Sequence, residues 1–160
     1  QEPAIDASTR FNGPTTATTT QDRYTGFMAE LASHSEVTVS HSFAGSYSFE
    51  AGRSEMIRLL ESRPAEAYFC GDDVLSIGAL SAIQDSGYSC PGDIGILGLN
   101  DMEMARWNNI NLTTLHQPIG EIVASSIELM VATLENREMT PEARVFSCSV
   151  VERGTLRPAP

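Results

Sequence analysis

Apolar positions along the chain switch repeatedly between two spacings. Tyr24, Phe27, Met28 and Leu31 recur at helical intervals, whereas Val37 and Val39 alternate with polar residues as in a strand. Met56, Ile57, Leu59 and Leu60 predict a second helix, with Ser48 or a neighbour supplying its N-cap oxygen. Ala67-Tyr68-Phe69-Cys70 is a short apolar run that suits a buried strand, and Val74 to Gln84 reads as a helix closed by Ser86-Gly87. Pro91-Gly92-Asp93 punctuates the chain before Ile94 to Leu99, a strand carrying two glycines. A short helix near Met102 to Trp107 and a strand at Leu112 to His116 follow. The clearest helix comes next: Ile119, Ile122, Val123, Ile127, Met130, Val131 and Leu134 form one stripe, opposite Glu121, Ser125, Glu128 and Glu135. Val145 to Val151 supplies a last strand, while the polar opening through Thr15 to Thr20 gives no strand signal.

Short apolar strands alternating with helices imply an α/β fold, a parallel sheet covered by helices on both faces. In such sheets a ligand binds beyond the carboxyl ends of the strands. That rule selects four places: Phe43 to Tyr47, Gly71-Asp72-Asp73, Leu99-Asn100-Asp101 and His116-Gln117. Each sets polar or aromatic groups directly after an apolar run.

Composition narrows the chemistry. With 160 residues and 41% apolar content, the chain suits one globular domain. No run approaches the roughly 20 apolar residues of a membrane span. The opening Gln1-Glu2-Pro3 lacks the basic and apolar character of an export signal. A net charge of -11 repels phosphate backbones, so this segment is not expected to grip nucleic acid itself. All 10 basic residues are arginine, which excludes a Walker-type phosphate loop and Schiff-base chemistry. Cys70, Cys90 and Cys148 form no C-x-x-C pair, so neither a disulfide framework nor a zinc site is expected, and the interior reads as reducing and cytoplasmic.

Asp72, Asp73 and Asp101 raise the question of a carboxylate enzyme or metal site. Neighbours on a strand point to opposite faces, which keeps Asp72 and Asp73 apart. Asp73 is expected to cap the following helix, and Asp72 to hydrogen-bond in a pocket. There is no G-x-S-x-G elbow and no G-x-G-x-x-G cradle. His34 and His41 read as solvated and His116 as a buried, hydrogen-bonded histidine. The expectation is therefore no enzyme, no catalytic residue, no cofactor and no metal. A polyhydroxylated ligand needs only an aromatic face and a few fixed donors and acceptors. Tyr47, Arg23, Asp72, Asn100 and Gln117 supply such a set.

Several segments, in order, carry a family resemblance: Tyr68-Phe69-Cys70-Gly71-Asp72-Asp73-Val74-Leu75-Ser76-Ile77-Gly78-Ala79-Leu80, Ser86-Gly87-Tyr88, Pro91-Gly92-Asp93-Ile94, Gly98-Leu99-Asn100-Asp101, Leu112-Thr113-Thr114-Leu115-His116-Gln117-Pro118 and Val150-Val151-Glu152-Arg153-Gly154-Thr155. Upstream, Arg23-Tyr24-Thr25-Gly26-Phe27 and Tyr47-Ser48-Phe49-Glu50-Ala51-Gly52 fit at matching intervals. Together they resemble the lactose/galactose (LacI/GalR) repressors over nearly the whole chain. The resemblance implies a Rossmann-like, parallel-sheet lobe of a type I periplasmic-binding-protein-like fold. Residues 1–160 would be an effector-binding region, mainly its second lobe, with 119–142 a first-lobe segment and the helix-turn-helix headpiece absent.

By the same resemblance, Arg23 matches an arginine that contacts the effector and Tyr47 the aromatic that stacks on it. Asp72 stands at a variable position that is often Asn. Asn100 stands where Asp usually binds ligand hydroxyls, and Gln117 matches a glutamine near the lobe crossover. Leu99 replaces the usual aromatic. The implied partners are a sugar or related polyol, operator DNA through the missing headpiece, and a second copy of the chain. Without the first lobe, the stripe from Ile119 to Leu134 is expected to pack on another copy or to be displaced. The alternatives are an extracytoplasmic sugar-binding protein of the same fold and, more weakly, a carboxylate-based enzyme. Leu112-Thr113-Thr114 with Gln117-Pro118 favours the regulator.

Overall fold

The computed structural model describes residues 8–35, 37–62, 64–136, 140 and 142–158. Strands and helices alternate from the start: β1 (Ser8–Asn12), α1 (Thr18–Leu31), β2 (Ser40–Phe43), α2 (Phe49–Leu60), β3 (Ala67–Cys70), α3 (Asp73–Asp85) and β4 (Gly95–Asn100). A single 3₁₀ turn (Glu103–Arg106) leads to β5 (Thr114–His116), α4 (Ile119–Glu135) and β6 (Ser149–Val151). The sheet order is β2-β1-β3-β4-β5-β6. Its first five strands are parallel, and β6 pairs antiparallel with β5. This is the α/β, parallel-sheet lobe that the sequence pattern and the family resemblance imply.

Alternation along β3 shows how both faces are covered. Tyr68 and Cys70 are buried in one core with Met56 of α2 and Leu75, Ala79, Ala82 and Ile83 of α3. Phe69 points the other way and meets Phe27 of α1 at a ring separation of 5.5 Å. Helices α2 and α3 approach closely because glycine faces backbone on both sides. A Cβ on Gly52 would stand 2.4 Å from the Leu75 carbonyl oxygen, and one on Gly78 2.2 Å from that of Phe49. Ser48 caps α2, its hydroxyl accepting from Ala51 N–H at 3.2 Å, as the sequence implied. Gly87, at φ 83°, ends the turn after α3.

Several expectations shift. β1 lies between β2 and β3, although its residues Ser8-Thr9-Arg10-Phe11-Asn12 gave no apolar pattern. Val37 and Val39 precede β2 instead of forming it, since the register against β1 begins at Ser40 opposite Thr9. The last strand keeps only Ser149–Val151 of the expected 145–151, because the pairing from Leu115 and its neighbours reaches no further. Met102 to Trp107 holds only the four-residue 3₁₀ turn.

The apolar stripe of α4 is the main departure. Ile119, Val123, Ile127, Met130, Val131 and Leu134 are 47% to 72% exposed, so this face has no cover among the described residues. The opposite side, with Ile122, Ser125 and Leu129, borders the segment Arg144 to Cys148. Ser125, expected to face away, is buried and accepts from Arg144 Nη1 at 2.9 Å. Residues 137–139 and 141 of the expected first-lobe segment lie outside the described residues. Among the described residues no helix is long and apolar enough to cross a membrane.

Candidate functional site

The carboxyl ends of β3, β4 and β5 converge on one chain of hydrogen bonds. After Cys70 the backbone turns through buried Gly71 into Asp72, which stays extended at φ -165° and becomes the N-cap of α3. One Asp72 oxygen, Oδ1, accepts from Val74 N–H at 2.8 Å, and the other, Oδ2, accepts from Asn100 Nδ2 at 2.7 Å. The Asn100 side-chain oxygen in turn accepts from Gln117 Nε2. Arg23 reaches over from α1, and its Nη1 donates to the Gly71 carbonyl at 2.8 Å. Burial raises the Asp72 carboxyl above its ordinary value, with the Val74 N–H and Arg23 working against the rise.

Asn100 sits at φ 117° and Asp101 at φ 55°. Neither is glycine, and backbone in such sparsely populated regions costs of order 1–3 kcal/mol per residue. The neighbours hold this turn. Asp101 Oδ1 accepts from Arg153 Nη2 at 2.6 Å, and Oδ2 lies 3.1 Å from His116 Nδ1. Arg153 also donates to the Leu112 carbonyl at 2.7 Å. Burial opposes ionisation of Asp101, but the bonds and charges of Arg153 and His116 prevail and hold its carboxyl low. His116 is half-exposed instead of buried, a correction that follows from its place at the open end of β5.

The cap expected of Asp73 falls to Asp72, which also accepts from Asn100. Asp72 is the cap, whereas Asp73 begins the helix and turns inward. Asp73 is fully buried; its Oδ2 accepts from Met102 N–H at 2.7 Å and its Oδ1 from the Thr114 hydroxyl at 2.6 Å. The reason is local: the extended Asp72 is the last residue before the helix, so the cap falls one position earlier.

Tyr47 stands apart from this chain. Its hydroxyl pairs with Thr20 Oγ1 at 2.7 Å, and its ring lies against Gly13, where a Cβ would come within 2.1 Å of Cζ. The structure therefore joins Arg23, Asp72, Asn100 and Gln117 around the ends of β3 to β5, with Tyr47 at the end of β1 on Thr20. Sequence reasoning placed Asp101 and His116 at the strand ends without giving either a ligand contact, and it did not reach Arg153. The Val151-Glu152-Arg153 run after an apolar stretch was the signal for Arg153. An open cavity of about 400 Å³ borders Asn100, Asp101, His116, Gln117 and the first turn of α4. That size is within the range of small-molecule sites. Among the described residues no group of three or more His, Cys, Asp or Glu side chains is placed to hold a metal ion.

A mostly parallel sheet with helices on both faces and polar side chains gathered at its carboxyl edge defines a domain of the α/β class. Residues 7–156 match the periplasmic binding protein-like domain, and the chain belongs to that family. Its relatives include the HTH-type transcriptional repressor CytR of Escherichia coli K12, 32% identical over 117 residues, which span 72% of this chain and 34% of CytR. The repressor PurR of Mannheimia succiniciproducens is 32% identical over 145 residues, 89% of this chain and 43% of PurR. The chain thus spans less than half the length of these relatives. A LacI-family transcriptional regulatory protein from Corynebacterium glutamicum superposes with a TM-score of 0.83 at 25% identity, covering 97% of this chain and 60% of that one. The Lac repressor dimer bound to operator and the anti-inducer ONPF shares the fold, with a TM-score of 0.85 at 22% identity over 96% of this chain and 54% of the repressor. The resemblance to the LacI/GalR repressors holds.

Proposed function

We propose that this chain is the effector-sensing region of a DNA-binding transcriptional regulator. It takes a small sugar-like molecule at the carboxyl ends of β3, β4 and β5, and occupancy changes the affinity of the regulator for its operator. The observation that carries this reading is the chain Asp72–Asn100–Gln117, drawn from three strand ends and flanked by Arg23, beside an open cavity. Arg23, Asp72, Asn100 and Gln117 read hydroxyls, and Tyr47 offers the ring face. Operator contact comes through a headpiece outside this chain, and the working form is a cytoplasmic homodimer. The repressors among its relatives favour this reading over a transport protein, and none of those named is an enzyme.

The carboxylate stands in an unusual place. The family pair at these positions is often Asn followed by Asp; here Asp72 and Asn100 carry the two groups in the reverse order. The ionised acceptor moves from the end of β4 to the end of β3, where α3 and Asn100 already use it. A neutral amide at position 100 makes weaker bonds to sugar hydroxyls than a carboxylate there would, so the effector differs from a common hexose. The segment 119–142 belongs to the other lobe of the molecule, and the uncovered apolar face of α4 supports that reading.

A thermal-shift screen against sugars, polyols and nucleosides tests the proposal. A ligand at a hundred times its dissociation constant adds about 2.7 kcal/mol of stability. Stabilisation by one class, lost in a variant of Asn100, supports the reading. No stabilisation in a longer chain holding both lobes overturns it.

A further inference from the structure

We propose that Asp73 is a positioning residue for this site: without lining the cleft, it holds the turn that presents Asn100. The inference rests on the reading of the strand ends as an effector site. Asp73 is fully buried, and the two bonds described above come from neutral donors, Met102 N–H and the Thr114 hydroxyl. A buried carboxylate is costly unless its oxygens are satisfied, so these bonds are not incidental. Room for it is made by a glycine in mid-strand, where glycine is otherwise unfavourable. A Cβ on Gly98 would stand 2.3 Å from Asp73 Oδ1, 2.8 Å from Leu112 Cδ2 and 3.1 Å from Ser76 Oγ.

The bond to Met102 explains what this arrangement achieves. Met102 follows directly on Asn100 and Asp101, both held at positive φ. Arg153 and His116 grip the turn by the Asp101 side chain, whereas Asp73 grips its backbone. The Thr114 bond ties the same carboxylate to β5, whose end carries Gln117. One buried group thus sets the spacing between the strand ends that supply Asn100 and Gln117. Released from Asp73, Asn100 relaxes to negative φ and its amide leaves Asp72 and Gln117.

The test uses Asp73→Ala and Asp73→Asn in the whole chain. The amide variant keeps an oxygen for Met102 N–H, and its NH2 group donates to Thr114; the alanine variant keeps neither bond. NMR of the ligand-free proteins reads the HN–Hα couplings of Asn100 and Asp101 and the side-chain amide signals of Asn100. Titrations with ribose, galactose and adenosine read the cleft. The expectation for Asp73→Ala is couplings that leave the left-handed range, displaced Asn100 amide signals, and affinity for whichever probe binds lowered about tenfold or more. Asp73→Asn restores both readouts. If Asp73→Ala does not fold, Asp73→Ser, too short to reach Met102 and Thr114 together, is read in the same way. A folded variant that is less stable but keeps unchanged Asn100 signals shows a merely structural role and overturns the proposal. If no probe binds the parent chain, the reading of the cleft is what fails, and the ligand-free signals still decide the role of Asp73.

Discussion

Asp72 accepts an amide proton of Asn100 at 2.7 Å with one carboxylate oxygen while the other caps helix α3. Both oxygens therefore have protein donors, and the charge at the end of β3 is shared between helix and cleft. Asp72→Ala should lower stability by about 1 kcal/mol through loss of the cap, and Asp72→Asn by clearly less, since Asn caps as well as Asp. Urea unfolding of both variants checks this. Equal losses would mean that the carboxylate charge, and not the cap geometry, stabilises this helix start.

The dependence of stability on pH should show two opposing carboxylates. Arg153 and His116, prevailing over burial, hold Asp101 below its ordinary 3.8. Its contribution is fully present above 3.8 and is lost as pH falls through the lower native value. Burial raises Asp72 above 3.8, so its ionisation weighs against the fold as pH rises from 3.8 through the native value. In unfolding curves across this range, Asp101→Asn should flatten the fall in stability on the acid side. Asp72→Asn should remove a decline on the other side. The same slope in parent and variant would rule out that residue as the source.

Glycines in three helices should respond with opposite signs. Gly52→Ala and Gly78→Ala each drive a methyl into the backbone of the facing helix and should cost about 1–3 kcal/mol, outweighing the helical preference for alanine. In α1, a Cβ on Gly26 meets nothing within 4 Å, so Gly26→Ala should stabilise by about 0.4–1 kcal/mol. Melting curves of the three variants decide it. A stabilising Gly78→Ala would show that α2 and α3 separate freely.

Arg23 makes a half-buried bond to the Gly71 carbonyl. Arg23→Ala should cost about 1 kcal/mol or less of stability yet abolish ligand-induced stabilisation. In a longer chain with its DNA-binding headpiece, the same change should abolish the effector response and leave operator binding intact. An undiminished ligand shift would remove Arg23 from the site.

The sequence revealed elements wherever apolar residues follow a period or form a run. In β3, α3 and β4 those residues fall on buried positions. β1 escaped because Ser8-Thr9-Arg10-Phe11-Asn12 has no apolar alternation, although parallel partners flank it on both sides. In α4 the stripe was legible, but periodicity says which residues share a face and not what that face meets. Asp72, Asn100 and Gln117 were legible as polar groups after apolar runs. The cap at Asp72 instead of Asp73 was not, because two carboxylates in series offer two cap positions and only the backbone angle at Asp72 chooses. The bonds of Asp73 to Met102 and Thr114 join segments distant in sequence, which local patterns do not record.

The interior place of β1 has a consequence for synthesis and for proteolysis. Within the described residues this strand is made before β2 and β3, yet Thr9 pairs with Ser40 on one side and with Tyr68 on the other. It is covered on both sides only once β3 has been made, and until then one of its edges stays open to aggregation. A protease that removed Ser8–Asn12 would not shave an edge. It would cut the sheet in two and leave β2 with no partner.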